Sequence, residues 1–198
     1  MNAPPAPSLV LGSTSPYRHA LLSRLGLPFT TVSPQVDETP KPGEPPRDLA
    51  KRLALAKAQA VADLHPDAVV IGSDQVADLH GVPLGKPGNH ERATHQLQQM
   101  RGQTVLFHTA VAVVCARSGF AQQAMTEVKV RFRWLSDAEI EAYLQTEKPY
   151  DCAGSAKSEG LGIALLDAID SDDPTALIGL PLIRTCQLLR EAGLRLIA

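Results

Sequence analysis

Two kinds of hydrophobic spacing alternate along this chain. Short solid runs at Ser8–Leu11 and Ala68–Ile71 read as strands, the second buried on both faces. Phe29–Val32 reads as another strand. Elsewhere apolar positions recur at helical spacing. Ala20, Leu21 and Leu25 mark a helix that Ser15 caps, Pro16 opens and Gly26 ends. Leu49, Leu53, Ala60 and Leu64 share a face of a longer helix over Arg47–Leu64, closed by His65-Pro66. Ala93, Leu97 and Met100 mark a third, capped by Asn89 and ended by Gly102. Strict alternation then takes over. Val105, Phe107, Thr109, Val111, Val113 and Cys115 lie within Gln103–Ala116, and Val128, Val130 and Phe132 within Glu127–Trp134. A turn at Arg117-Ser118-Gly119 makes these a long antiparallel pair. Ser136-Asp137-Ala138-Glu139 is a capping box for a helix reaching about Glu147. A strand over about Ile163–Ile169, a turn at Asp173-Pro174 and a helix after Leu180-Pro181 complete the series. βα units followed by an antiparallel pair predict an α/β fold, one domain over 8–198 in two lobes.

Composition narrows the function classes. With 198 residues, 44% hydrophobic, 20% charged and a net charge of −2, the chain can bury a substantial core. That charge balance gives no support to a nucleic-acid polymer or a membrane surface as partner. No apolar run is long enough to span a bilayer. Met1–Pro7 is a flexible tail of Pro and Ala without a signal-peptide pattern. Cys115, Cys152 and Cys186 are odd in number and far apart, which argues against a disulfide framework or zinc site and favours a reducing cytoplasm. The six histidines lack metal-ligand spacing and read as surface or loop residues.

Candidate chemistry centres on Ala68–Pro87. The apolar run stops at Gly72, and Ser73, Asp74 and Gln75 follow. A carboxylate at a strand's C-terminal end is where open α/β sheets place ligand chemistry, although a strand-end cap is an equal alternative. A short hairpin with its turn at His80–Gly81 leads to Gly85-Lys86-Pro87. This is not a P-loop, because Gly81 to Lys86 is one residue short and Pro87 stands where Ser or Thr belongs. Gly12-Ser13-Thr14-Ser15-Pro16 feeds a helix N-terminus, which favours anions, and Arg18 in the first turn opposes the dipole unless something negative binds nearby. Lys57 follows Leu53 by four residues and so faces inward, either snorkelling to a rim or reaching an anion in a cleft. Asp37 and Glu38 lie on a proline-rich loop, Ser33–Pro46, where they are a solvated acidic turn or ligands to a divalent cation. Tyr150–Gly162 is rich in small residues and holds Lys157 and Glu159, either a flexible loop or a second half-site.

Five segments then occur in one order: Gly12-Ser13-Thr14-Ser15-Pro16-Tyr17-Arg18, Val36-Asp37-Glu38, Ile71-Gly72-Ser73-Asp74-Gln75-Val76, Gly85-Lys86-Pro87 and Ala153-Gly154-Ser155-Ala156-Lys157-Ser158-Glu159-Gly160. The series resembles the Maf-type nucleoside triphosphate pyrophosphatases along nearly the whole chain. Ser-Asp-Gln at Asp74 and Lys-Ser-Glu-Gly at Glu159 resemble the branch acting on 7-methyl-GTP, although tryptophan is expected there in place of Tyr17. The resemblance implies a two-lobed Maf/Ham1-like (ITPase-like) fold on a curved mixed sheet with a central cleft. It implies hydrolysis of a nucleoside triphosphate to monophosphate and pyrophosphate with a divalent metal cation, Mg2+ or Mn2+, and a cytoplasmic homodimer. Asp74 would be the catalytic acid-base group, with Glu38 and Asp74 holding the metal. Ser13, Thr14, Ser15, Arg18, Lys57, Lys86 and Lys157 would bind phosphates, the amides of Ser13–Ser15 forming a cradle. Tyr17, Gln75 and Glu159 would choose the base. The alternatives are the branch acting on dTTP and UTP, or a nucleotide-binding regulator of septum formation without significant catalysis.

Overall fold

The computed structural model describes residues 8–197; the tail predicted at residues 1–7 lies outside them. Strands β1 (Leu9–Gly12), β2 (Phe29–Val32), β3 (Val69–Leu79), β4 (Val82–Leu84), β5 (Thr104–Cys115), β6 (Phe120–Phe132) and β7 (Leu166–Asp170) form one mixed sheet. Its order is β2-β1-β3-β5-β6-β7, with β4 paired to β3. β1 runs parallel to both β2 and β3, and every other pairing is antiparallel. The expected α/β class with a mixed sheet is what forms. Among the described residues no helix is long and apolar enough to cross a membrane.

Alternation along the strands decides which helix covers which face. Val70, Val76, Ala110, Ala112 and Val114 project to one face, where α2 (Pro46–Ala62) buries Leu49, Leu53, Ala54, Ala58 and Val61 on them. On the other face, α1 (Pro16–Ser23) and α5 (Leu182–Glu191) close over Leu9, Leu11, Ile71, Val111 and Val113. Farther along that face, α3 (His90–Met100) and α4 (Asp137–Glu147) close over Phe107, Val128, Val130 and Phe132. The caps follow the sequence: Ser15, Asn89 and Ser136 each accept from a first-turn amide, and Ser136 with Glu139 completes the capping box.

The structure corrects the predicted elements in several places. β3 does not stop at Gly72 but runs on to Leu79, eleven residues in all, with Asp74 near its middle. Gly72 is a packing residue, not a break. A Cβ there would lie 2.5 Å from the Ala58 amide nitrogen and overlap the Ala54 carbonyl. Gly12 stands directly beside it in the sheet. The two glycines let α2 settle onto β1 and β3. The inward stripe of α2 runs through Leu49, Ala50, Leu53, Ala54, Lys57, Ala58 and Val61; Ala60 is only half-buried, and Leu64 lies beyond the helix and is exposed. In α1 the buried pair is Leu21 and Leu22, while Ala20 is exposed. β6 begins at Phe120, eight residues before the first alternating apolar position, Val128, because pairing with β5 extends it through exposed Gln122 and Gln123. The strand expected over Ile163–Ile169 is shorter, since Leu161–Leu165 closes into a 3-10 turn before β7. His108 is not a surface residue: it is buried on β5 with Nε2 3.1 Å from Asp78 Oδ2.

Candidate functional site

The site begins at a gap in the sheet. β1 ends at Gly12 opposite Gly72, and β4 starts pairing only at Ala77. Between them Ser73, Asp74, Gln75 and Val76 keep β5 on one edge and have no strand on the other. Asp74 therefore lies beyond a strand end after all, but the end is that of its neighbour, β1. A cleft of about 740 Å³ opens at this gap, and it is lined by Ser13–Arg18, Glu38, Lys57, Asp74, Gln75, Lys86 and Glu159. Ligand sites in α/β sheets form where neighbouring strands part in this way.

At the deep end, Lys57 and Asp74 are buried and paired. Lys57 is 5% exposed, and its Nζ lies 2.6 Å from Asp74 Oδ1 and 2.9 Å from Glu38 Oε1. The close approach of α2 at Gly12 and Gly72 brings this lysine over Asp74. Of the two roles open to it, it does not snorkel to the rim. Asp74 is itself 7% exposed, and its Oδ2 makes no hydrogen bond among the described residues. Burial raises its carboxyl above the usual aspartate range, against the pull of Lys57 and then Arg18. Arg18 donates from Nε to the Gly179 carbonyl at 2.8 Å and from Nη1 toward Ser13 Oγ at 3.5 Å. Burial lowers its pKa, and Asp74 and Glu38 counter that effect. Asp74 and Glu38 thus supply two hard oxygen donors, with the Lys57 ammonium lying against one oxygen of each and their other oxygens free of it. That set fits a magnesium-type ion, which takes one or two carboxylates and completes its shell from substrate phosphates and water. No cluster of three His, Cys, Asp or Glu side chains able to hold a metal exists among the described residues.

The predicted phosphate ligands divide on inspection. Ser13 N donates to the Leu11 carbonyl and Ser15 N to Ser13 Oγ, so of the three cradle amides only that of Thr14 has no partner among the described residues. Lys86 is exposed, lines the cleft and joins no ion pair among the described residues. Lys157 does not line the cleft. Its Nζ lies 2.9 Å from Glu147 Oε1 and 5.7 Å from the Tyr17 ring centroid. Gln75 spends its amide on the fold, donating to Thr109 Oγ1, the Ala176 carbonyl and the Leu177 carbonyl at 2.9–3.0 Å. Only its carbonyl oxygen is left for a ligand. Tyr17 and Glu159 stand at the mouth, Tyr17 half-buried and Glu159 exposed.

Sequence reasoning missed the segment that holds these groups in place. The Gly179 carbonyl accepts from both Arg18 Nε and Ser73 Oγ. Gly179 has φ 121°, a conformation that only glycine adopts easily. Buried Asp173 fixes the same segment, accepting from Thr175 Oγ1 at 2.8 Å and from the Ile183 amide at 2.7 Å where α5 begins. Asp173-Pro174 and Gly179-Leu180-Pro181 were visible as turn chemistry, which was the only available signal. Asp151 and Cys152, within the Tyr150–Gly162 segment read as a flexible loop or a second half-site, also line the cleft.

A sequence model of the Maf-like protein family matches residues 8–192. The chain belongs to the Maf-like family. Among Maf-like relatives, it is 70% identical over 195 residues to a protein of Polaromonas sp. named 7-methyl-GTP pyrophosphatase, covering 98% of this chain and 89% of that one. A protein of Albidiferax ferrireducens with the same name is 64% identical over 197 residues, covering 100% and 99%. One from Cupriavidus pinatubonensis, also so named, is 56% identical over 193 residues, covering 98% and 97%.

Proposed function

We propose that this Maf-like protein is a nucleoside triphosphate pyrophosphatase that hydrolyses 7-methyl-GTP to 7-methyl-GMP and pyrophosphate. One observation carries the chemistry: Asp74 has one carboxylate oxygen clamped by Lys57 and the other open, in a cleft floor beside Arg18. The open oxygen is the proton acceptor. It orients a water and takes its proton as the water oxygen bonds to the α-phosphorus and the bond to the bridging oxygen breaks, releasing pyrophosphate. A carboxyl raised by burial is better matched to that transfer near neutral pH than an ordinary aspartate. Arg18, Lys57 and Lys86, with the Thr14 amide, stabilise negative charge on the phosphate oxygens, the largest task in such a transfer. Ser13 and Ser15 act one step back, the first on Arg18 and the second as the cap of α1. A divalent cation, when bound, would be held by Asp74 and Glu38 and would neutralise phosphate charge. Tyr17 and Glu159 face the base, and Gln75 holds the 176–178 turn behind it. Lys157 serves at the rim, through Glu147 and the Tyr17 ring.

The names of the Polaromonas, Albidiferax and Cupriavidus relatives support the choice of base, as does a carboxylate at 159 for a cationic purine. The working unit is residues 8–198 as one domain with two lobes around the cleft, a homodimer in the cytoplasm. The test is pyrophosphate release from 7-methyl-GTP, GTP, dTTP and UTP with Mg2+ or Mn2+. We expect 7-methyl-GTP to give the highest kcat/KM. Preference for dTTP or UTP would move the protein to the other branch, and no release from any of them would remove the enzymatic reading.

A further inference from the structure

The cleft is electrically lopsided, and one acidic side chain at its mouth has no part in the reaction as described. Asp151 is exposed and lines the same cleft as Asp74 and Lys86. The Tyr17 hydroxyl donates to its Oδ2 at 3.2 Å, and Cys152 Sγ lies 3.6 Å from its Oδ1. Among the described residues, neither Asp151 nor Glu159 forms an ion pair with Lys, Arg or His. The Cys152 thiol lies beside Asp151 and feels both charges. Burial first, then Asp151, with a further contribution from Glu159, push Cys152 up to about 12, while its contact with Tyr17 works the other way. The rest of the cleft has the opposite character, with Arg18, Lys57 and the exposed Lys86 set against Asp74 and the exposed Glu38.

A ligand matching this cleft is a polyanion at one end and a cation at the other. A triphosphate supplies the first. A neutral purine would leave both mouth carboxylates without a counter-charge, whereas an N7-alkylated purine carries its positive charge in the ring. Tyr17 connects the two requirements. One face of its ring already has a cation over it, Lys157 Nζ, an arrangement aromatic rings favour. Its hydroxyl is tied to Asp151, so the same carboxylate orients the ring and lends it negative potential.

We infer that Asp151 is a specificity-determining residue that holds Tyr17 and selects triphosphates whose base is positively charged, the N7-alkylated purine class. This inference rests on the pyrophosphatase reading above. It does not depend on Gln75, whose amide is committed to the turn.

The experiment compares kcat/KM for 7-methyl-GTP and GTP in the wild type and in Asp151→Asn, at mildly acidic pH where the methylated ring keeps its N1 proton and full charge. Asparagine preserves shape and can still accept from Tyr17, so only the charge is lost. Because Asp151 is exposed, the variant should melt with the wild type. The ratio of the two kcat/KM values should fall about five- to tenfold, the size of one charge acting across a few ångströms of partly screened space. Competitive inhibition by 7-methyl-GMP relative to GMP should fall in parallel, reading the same selection in binding alone. A wild type that prefers 7-methyl-GTP, with a ratio unchanged in the variant or with both substrates losing equally, overturns the role of Asp151 and leaves the enzymatic reading intact. A wild type with no preference for 7-methyl-GTP overturns the substrate assignment and this inference together.

Discussion

The two ends of the cleft are built from different material. At the deep end, Asp74 comes from the middle of β3, Lys57 from the inward face of α2 and Arg18 from the first turn of α1, and Lys57 and Asp74 are nearly sealed from solvent. At the mouth, Asp151 and Glu159 come from an irregular loop and are exposed. Charges on packed elements are held in fixed geometry, while those on a loop tolerate exchange. The deep end therefore suits the step common to every triphosphate, and the mouth suits the choice among bases. The difference also sets what a substitution does: a change in the deep end should damage turnover or folding, and one at the mouth should redistribute preference.

The largest effect should come from Asp74→Asn. It keeps the shape and can still meet Lys57, but it removes the proton acceptor. Turnover should drop about a hundred- to ten-thousandfold, the range for a positioned general base, with the circular dichroism spectrum retained. Turnover within a few-fold of wild type would place the proton acceptor elsewhere.

Lys57→Met and Lys86→Met come next, and they set a buried cation against an exposed one. Lys57 compensates two carboxylates, Asp74 and Glu38. Removing one partner of a buried pair destabilises by roughly 3 kcal/mol, so Lys57→Met should lose both activity and melting temperature. Lys86 has no partner among the described residues, so its replacement should reduce kcat/KM about tenfold or more, the loss of a charge-assisted hydrogen bond, at unchanged melting temperature. A pH profile separates charge from packing at Lys57. The Lys57 ammonium favours the ionised form of Asp74, whose carboxyl burial has already raised. Without it that carboxyl rises further, and because only the ionised form accepts a proton, the acid limb of kcat/KM should move to higher pH. The linkage to folding has the same sign. A carboxyl raised in the folded state destabilises the fold above its folded pKa, and that penalty is relieved as pH falls toward the ordinary aspartate value of about 3.9. An acid limb unmoved in Lys57→Met would uncouple the lysine from Asp74.

The same contrast explains what the sequence disclosed. Helix caps, hairpin turns and alternating strands rest on local chemistry, and Ser15, Asn89, Ser136 and His80–Gly81 were legible for that reason. Lys57 was legible because helical spacing put it on the Leu53 side. Gly72 misled because glycine serves equally as a strand break and as a point of close backbone approach, and only the position of α2 distinguishes the two. β6 was found only in part because its first residues face water, where alternation carries no apolar signal. The mouth was hardest to read. Asp151 acquires meaning from Tyr17, 134 positions away, and no local pattern records that distance. Gln75 lines the cleft, but its amide partners lie more than a hundred residues away in the 176–178 turn, as well as on Thr109.

The smallest effect expected is the one most specific to the mouth. Glu159 is exposed, lines the cleft and has no ion-pair partner among the described residues, so Glu159→Gln should leave folding untouched. Guanine presents donors at N1 and N2 on one edge, and a carboxylate can accept from both at once. Glutamine offers one acceptor oxygen and turns a donor toward the other position. The substitution also removes a negative charge from beside a cationic ring. An exposed charge-assisted hydrogen bond is worth about 1.5 kcal/mol, so the preference for 7-methyl-GTP over dTTP and UTP should fall about tenfold, while the preference over GTP, which shares both donors, should fall by the lost charge alone. The loss should appear mainly in KM, because the base is remote from the bond that breaks and the interaction is made equally in ground and transition states. A fall in kcat with KM unchanged would instead mean that Glu159 acts on the reacting phosphate. The separation of the cleft into a catalytic floor and a selecting mouth would then fail at its most exposed residue.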